Sequence, residues 1–193
     1  MRAESGLETK FCRPDTALVL DQTSPGAVRI TGYASIFGLK DQGGDVVQPG
    51  AYAKSLARLR ATGGTVRMLW QHDPAQPIGV WDEVREDLKG LWVSGRILTD
   101  VDRGREAAAL IGAGAMDGLS IGYRTVTAEK DAKGRRLLRE LELWEVSLVT
   151  FPMLPEARVA AKADAGLART LTELASALAE ARRAWAVRDG SPD

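Results

Sequence analysis

Hydrophobic and polar residues alternate along much of the chain, as in β-strands that are buried on one face. Val28 and Ile30 alternate with Arg29 and Thr31, which predicts a strand from Val28 to Phe37. After a loop, GLKDQGGDVVQPG, similar runs predict strands over 66–72, 78–85, 91–98, 118–127 and 135–150. The polar turns EDLKG and KDAKG separate two pairs of these strands, so we expect two hairpins.

Other segments repeat apolar residues at helical spacing. Tyr52, Leu56 and Leu59 predict a short helix that ends near Gly63-Gly64. A second helix is expected to begin with Asp102 as its N-cap and to end at Gly112 to Gly114, and a third, amphipathic helix is expected from Ala165 to Val187. Because helices do not regularly separate the strands, a doubly wound α/β sheet does not fit. We predict a β-dominated α+β fold, a partly closed antiparallel β-barrel with helices packed on it.

The length of 193 residues suits one domain with a short appendage. We expect an N-terminal segment at 1–27, a barrel domain at 28–160, and a C-terminal amphipathic helix and tail at 161–193. Lys and Arg total 26, as do Asp and Glu, so the formal net charge is zero. There is no overall basic field to attract nucleic acid or an anionic membrane, and neither is expected as a partner.

One cysteine and one histidine limit the available chemistry. Cys12 cannot form a disulfide within the chain, and His72 alone cannot supply a zinc site that needs two histidines. A metal site would have to rely on carboxylates alone, and no metal or cofactor is expected. The first 14 residues hold no apolar core of a secretory signal, and no run approaches 18 apolar residues, so the sequence is interpreted as intracellular with Cys12 reduced.

Gly118-Leu119-Ser120-Ile121-Gly122 matches G-x-S-x-G, the nucleophile elbow of α/β-hydrolases. A strand pattern follows Ser120, where the elbow needs a helix, and the only histidine precedes the serine. A cellular esterase of that type is therefore disfavoured. Ser120 is either a nucleophile in another fold or a small hydroxyl that fills a tight position between glycines.

Two further residues could work with Ser120. His72 is the natural general base near neutral pH, although it could also be an ordinary hydrogen-bonded histidine beside Asp73. Glu145 interrupts the apolar run LWEVSLV, where a buried carboxylate needs a partner. That partner could be a catalytic histidine or, in a purely structural ion pair, Arg124.

Period-2 alternation places Glu140 and Glu142 on the opposite strand face from Glu145, towards solvent. Nearby, Trp70 and Trp81 are interpreted as core aromatics. His72, Ser120 and Glu145 could form a base, a nucleophile and an orienting acid, because a triad is defined by geometry and not by chain order. The hairpin would bring Ser120 and Glu145 to neighbouring positions.

From about Gly32 to Arg158 the chain resembles the prohead (capsid maturation) proteases of tailed bacteriophages, which are related in fold to the herpesvirus assemblins. The resemblance lies in GYASIFG, GDVVQPGAYAKSL, MLWQHDPAQPIGVW, GLSIGYRT and ELWEVSLVTFPMLPEA, in the order found in that family. It implies a serine endopeptidase on an assemblin-like barrel, with His72 as the base, Ser120 as the nucleophile and Glu145 as the third member. The opening LETKF and the short length are similar to versions in gene transfer agents.

The resemblance also implies the substrates: the scaffolding segment of the major capsid protein, or a separate scaffold, and the protease itself, with self-association. It implies a location in the bacterial cytoplasm and inside the prohead during assembly. Oxyanion donors are expected from the backbone of 150–154, from Gly122 or from Arg124. The terminal helix could dock to capsid or scaffold, be removed by self-cleavage, or simply pack on the barrel.

A different class of function stays open beside the protease. The same barrel could be a catalytically silent structural or scaffolding module of the prohead. The presence of His72, Ser120 and Glu145 favours the enzyme.

Overall fold

The computed structural model describes residues 8–12, 21–24, 26–41 and 43–150. These residues all belong to the first of the two units of the chain, Met1–Ala161. The expected C-terminal helix lies outside the described residues. The described part holds β1 Glu8–Cys12, β2 Asp21–Ser24, β3 Ala27–Ile36, β4 Asp45–Val47, α1 Ala53–Thr62, β5 Arg67–Trp70, β6 Asp73–Glu86, β7 Gly90–Leu98, α2 Asp102–Gly112, β8 Gly118–Lys130 and β9 Arg136–Val149.

The strands form one sheet in the order β1-β8-β9-β5-β6-β7-β3-β2, with β4 paired to β9 off this path. The sheet curls into a half-barrel, and β1 and β8 at one end approach β3 near the other end. The expected hairpins β6–β7 and β8–β9 are both antiparallel pairs. The prediction of a strand-dominated, partly closed sheet is therefore confirmed.

β9 is the strand around which the functional region is built. One edge pairs with β8 along its whole length, while the other edge is covered by three elements in turn. β4 pairs with β9 at its start, α1 follows, and β5 runs parallel to it at its end. Beside α1, the N–H of Leu143 donates to Ser55 Oγ at 2.9 Å and the N–H of Leu141 donates to the Ala51 carbonyl.

A β-bulge in β9 changes which residues face the core. Gly122 of β8 lies opposite Glu145, and the next residue, Tyr123, lies opposite Leu143, so Trp144 is the extra residue. Before the bulge the odd-numbered Leu141 and Leu143 pack in the core, and after it the even-numbered Val146 and Leu148 do. Glu145 and Ser147 consequently lie on the face away from the core, and so do Glu140 and Glu142.

The expectation that Glu140 and Glu142 lie on the opposite face from Glu145 is therefore wrong, because strict alternation does not survive a bulge. Neither residue is fully solvated. Glu140 pairs with Lys54 at 2.7 Å, and Glu142 pairs with Arg58 and Arg124.

Other local predictions need correction. β6 begins at Asp73, before the expected start at residue 78, and so includes Pro74. This proline comes before the strand pairs with β7 at Gly79, where no ladder hydrogen bond is needed from its nitrogen. The N-cap of α2 is Val101, and Asp102 is in the first turn. Three short strands were not predicted: β4, in the loop after β3, and β1 and β2, which precede β3.

Two aromatic predictions are confirmed. Trp81 is buried in the core and donates its indole N–H to the Val146 carbonyl at 3.2 Å, and Trp70 packs against the same core. Within the described ranges, no helix is long and apolar enough to cross a membrane.

Candidate active site

His72 lies in a tight turn directly after β5, and not within the strand that was expected over 66–72. β5 ends at Trp70, and both Gln71 (φ 52°) and His72 (φ 63°) adopt the left-handed conformation. Residues other than glycine rarely adopt this conformation, so surrounding contacts must hold it in place.

Three contacts tie this turn to β9 and the residue that follows it. The N–H of Gln71 donates to the Leu148 carbonyl at 2.9 Å, and its side-chain amide donates to Thr150 Oγ1 at 2.5 Å. The N–H of His72 donates to Ser147 Oγ at 3.1 Å. The imidazole is thereby turned back over the end of β9.

The Glu145 side chain meets the imidazole there. His72 Nδ1 lies 2.5 Å from Glu145 Oε1. Glu145 is 3% exposed, and the His72 side chain is 15% exposed. A carboxylate this deeply buried is costly without a partner, and here it has two, because Ser147 Oγ–H donates to Oε2 at 2.6 Å.

Gly122 provides the space that the carboxylate occupies. A Cβ at this position would lie only 2.0 Å from Glu145 Oε1 and 2.7 Å from its carboxyl carbon. Any larger residue at 122 would collide with Glu145 in this position. The second glycine of the G-x-S-x-G string therefore has a packing role that differs from the tight turn of a nucleophile elbow.

Ser120 lies two residues before Gly122, on the same face of β8. Its neighbours Leu119 and Ile121 point into the core, so Ser120 points to the face that carries Glu145 and Ser147. In the hairpin register Ser120 is directly opposite Ser147 and diagonal to Glu145. Ser120 is fully buried, and it is hydrogen-bonded to His72. The structure thus brings together the three residues predicted from the sequence.

Glu145 does not form the ion pair with Arg124 that was the structural alternative. Arg124 pairs instead with Glu142, which also binds Arg58. Burial alone would raise the pKa of Glu142, but the hydrogen bonds from Arg58 and Arg124 hold it below its ordinary value. Glu142 thus neutralises both arginines beside the site, and the partner of the His72 imidazole is Glu145.

The structure describes only some of the residues that were expected to supply oxyanion donors. Of the loop 150–154, only Thr150 is described, and it accepts from Gln71. The Arg124 side chain is engaged by Glu142. Among the described residues, no cluster of three or more His, Cys, Asp or Glu could hold a metal ion.

Sequence reasoning overlooked Ser147. It is fully buried and contacts both the backbone of His72 and the carboxylate of Glu145. The available signal was its position two residues after Glu145, which is the same strand face.

Comparison with known proteins identifies the family. The caudovirus prohead serine protease family matches residues 17–170. The chain is 32% identical over 133 residues to the prohead protease of Enterobacteria phage HK97, covering 67% of this chain and 58% of that protein. It is also 32% identical over 134 residues to the prohead protease of Escherichia phage T5, covering 68% of this chain and 61% of that protein. The chain spans about three fifths of the length of these curated relatives.

The fold is similar to that of a solved structure, the capsid assembly protease gp21 of bacteriophage T4. The TM-score is 0.62 at 16% identity, over 78% of this chain and 100% of that one. The match to the family extends over most of the chain and includes every residue of the site built above. The chain belongs to the caudovirus prohead serine protease family.

Proposed function

We propose that this chain is a serine endopeptidase of capsid maturation, with Ser120 as nucleophile, His72 as general base and Glu145 as the residue that orients the imidazole. The observation that carries the proposal is the 2.5 Å contact between Nδ1 of the single histidine and a buried carboxylate, next to a buried serine. Family membership adds the reaction class.

The chemistry follows from this arrangement. Glu145 accepts a hydrogen bond from Nδ1–H, so the lone pair of the imidazole is on Nε2. Nε2 takes the proton of the Ser120 hydroxyl as Oγ attacks the scissile carbonyl carbon, and Glu145 stabilises the charged imidazole that results. When the tetrahedral intermediate collapses, Nε2 returns that proton to the leaving amine. Water then attacks the acyl-serine with His72 again as the base, and the hydroxyl of Ser120 is restored.

Ser120 is fully buried in this structure, so we expect a peptide to reach Oγ only after residues around it move. A resting protease that is closed until it is incorporated into a particle would be protected from cutting unrelated proteins. We therefore expect weak activity in dilute solution.

We propose that the substrate is the scaffolding segment of the major capsid protein or a separate scaffold, and that the chain also cuts itself in self-associated form. The names of its relatives, prohead protease and capsid assembly protease, support this assignment. The site of action would be the interior of the prohead, in the cytoplasm of the bacterial host. The similarity of this chain to the gene transfer agent versions of the family stays a prediction.

Reaction with a fluorophosphonate, which phosphonylates activated serines, tests the nucleophile without a known substrate. The purified chain should gain one phosphonyl group, and peptide mapping should place it on Ser120. Ser120→Ala should gain none, and Ser35→Ala, which removes a fully buried hydroxyl from β3, should react like wild type.

The outcome of this reaction also separates the two functions. A folded wild-type chain that never reacts, even after long incubation or within assembled particles, would favour the catalytically silent structural module. Labelling at another serine would reject Ser120 as the nucleophile.

A further inference from the structure

The Ser147 hydroxyl makes a second connection between two parts of the candidate site that are already in contact through the imidazole. One part is the left-handed turn that carries His72, and the other is the carboxylate of Glu145. We propose that Ser147 is a positioning residue of this protease, which fixes both the orientation of Glu145 and the tautomer of His72. The proposal rests on the function proposed above and adds a fourth residue to it.

The contacts form a closed ring. The N–H of His72 donates to Ser147 Oγ at 3.1 Å, and Ser147 Oγ–H donates to Glu145 Oε2 at 2.6 Å. The other oxygen of the same carboxylate, Oε1, lies 2.5 Å from His72 Nδ1. The ring therefore starts and ends on His72, once through its backbone and once through its side chain.

The direction of each hydrogen bond is determined by chemistry. A backbone N–H can only donate, so Ser147 Oγ accepts from His72 and has its own proton free for Glu145. That proton fixes the rotation of the carboxyl group and directs Oε1 to the imidazole. An ionised carboxylate can only accept, so the proton of the neutral imidazole is on Nδ1. This is the tautomer that leaves Nε2 able to receive the Ser120 proton.

The same hydroxyl stabilises the backbone of His72. A non-glycine residue at φ 63° is strained, and its N–H would be unsatisfied if Ser147 lost its oxygen. Ser147 is fully buried, so water has no direct access to replace it. Loss of this one oxygen thus disturbs the general base at both its backbone and its ring.

The unique histidine allows a direct test. With ¹⁵N-histidine labelling, every imidazole signal of this chain comes from His72. At a pH where the ring is neutral, the wild type should show a protonated Nδ1 and an unprotonated Nε2. Ser147→Ala should show a mixture of tautomers or mainly protonated Nε2. An unchanged Nδ1–H tautomer in a folded Ser147→Ala protein would overturn the proposal.

Kinetic measurements on a matched pair of variants separate the effect of the Ser147 hydroxyl on catalysis from the effect of packing at this position. Ser147→Thr and Ser147→Val add nearly the same volume, but only threonine keeps the hydroxyl. We expect Ser147→Val and Ser147→Ala to lose about 10- to 100-fold in kcat with little change in KM, as for loss of a hydrogen bond to a charged group. Ser147→Thr should recover most of that loss. Equal losses in the threonine and valine variants would show that packing alone matters.

The two readouts distinguish failure of this inference from failure of the proposed function. The tautomer is measured without any substrate, so it tests the ring even in a chain that never cleaves. If Ser120→Ala removes activity while Ser147→Ala leaves both tautomer and kcat intact, the protease assignment holds and the role of Ser147 is rejected. Thermal unfolding of each variant identifies any that fails to fold. Ser147→Ala adds no volume, so overpacking cannot prevent this variant from folding.

Discussion

The carboxylate of Glu145 lies across the backbone of Gly122, the residue directly opposite it on β8. A Cβ on Gly122 would approach Oε1 to 2.0 Å, closer than real contacts allow. The absence of a side chain on one strand therefore permits the acid on the next strand to reach His72. This relationship connects the GLSIG and WEVS segments of the sequence through one contact.

Gly122→Ala should displace Glu145 from His72. We expect a stability loss of about 1–3 kcal/mol from overpacking, together with a large loss of cleavage. Gly112→Ala is the matched control, because a Cβ there meets nothing within 4 Å at the end of α2. Urea unfolding and a cleavage assay of both variants check this. Normal activity in a folded Gly122→Ala protein would show that Glu145 need not occupy this position.

Ser120→Ala and His72→Ala should abolish cleavage without unfolding the chain. The left-handed backbone of His72 makes alanine a strained replacement, and His72→Asn is a cleaner test because asparagine tolerates that conformation. Loss of a triad member typically reduces kcat by about 10⁴-fold or more. Cleavage rates are measured together with thermal unfolding of each variant. A wild-type cleavage rate in either Ser120→Ala or His72→Asn would exclude the triad.

Glu145→Gln should weaken cleavage substantially while the chain stays folded. An uncharged amide no longer stabilises the charged imidazole, and its N–H₂ can face Nδ1 and favour the wrong tautomer. Glu142→Gln on the same strand is the control, because that residue binds Arg58 and Arg124 and not His72. Cleavage should fall much further in Glu145→Gln than in Glu142→Gln. Equal effects would indicate that both carboxylates serve only the fold.

The Glu142 ion pairs should stabilise the protein in a pH-dependent way. The pKa of Glu142 in the folded chain lies below the ordinary value of 4.5, so the folded state favours the ionised carboxylate more than the unfolded state does. This stabilisation is present above about pH 4.5 and is lost as the pH falls through the lowered pKa. Urea unfolding from pH 7 to pH 3 should show wild type losing its advantage over Glu142→Gln in the acid range.

Removal of one cation provides the control for this pH effect. In an Arg58→Gln background, the advantage of Glu142 over glutamine should be smaller at neutral pH. A wild-type advantage that persists unchanged at pH 3 would contradict the ion-pair explanation.

Much of the candidate site could be predicted from the sequence, because its residues break the surrounding patterns. His72 is the single histidine, Glu145 stands in an apolar run, and Ser120 lies between glycines in a strand. Alternation also identified the hairpin that carries Ser120 and Glu145, and that hairpin is confirmed.

The details that bring these residues together could not be predicted in the same way. The run around Trp144 has apolar residues on both faces, so its letters do not show where a bulge changes the alternation. The left-handed turn at Gln71 and His72 has no glycine to signal it. Ser147 has the size of a residue that merely fills space, and only its two hydrogen bonds distinguish it.

Intact-mass analysis of the matching major capsid protein, co-expressed with this chain, tests whether the chain is a capsid maturation protease with Ser120 as its nucleophile. We expect the capsid protein to lose an N-terminal segment with the wild-type chain and with Ser35→Ala, and to stay whole with Ser120→Ala. An uncut capsid protein in particles that contain the folded wild-type chain, or the same cut with Ser120→Ala, would contradict this assignment.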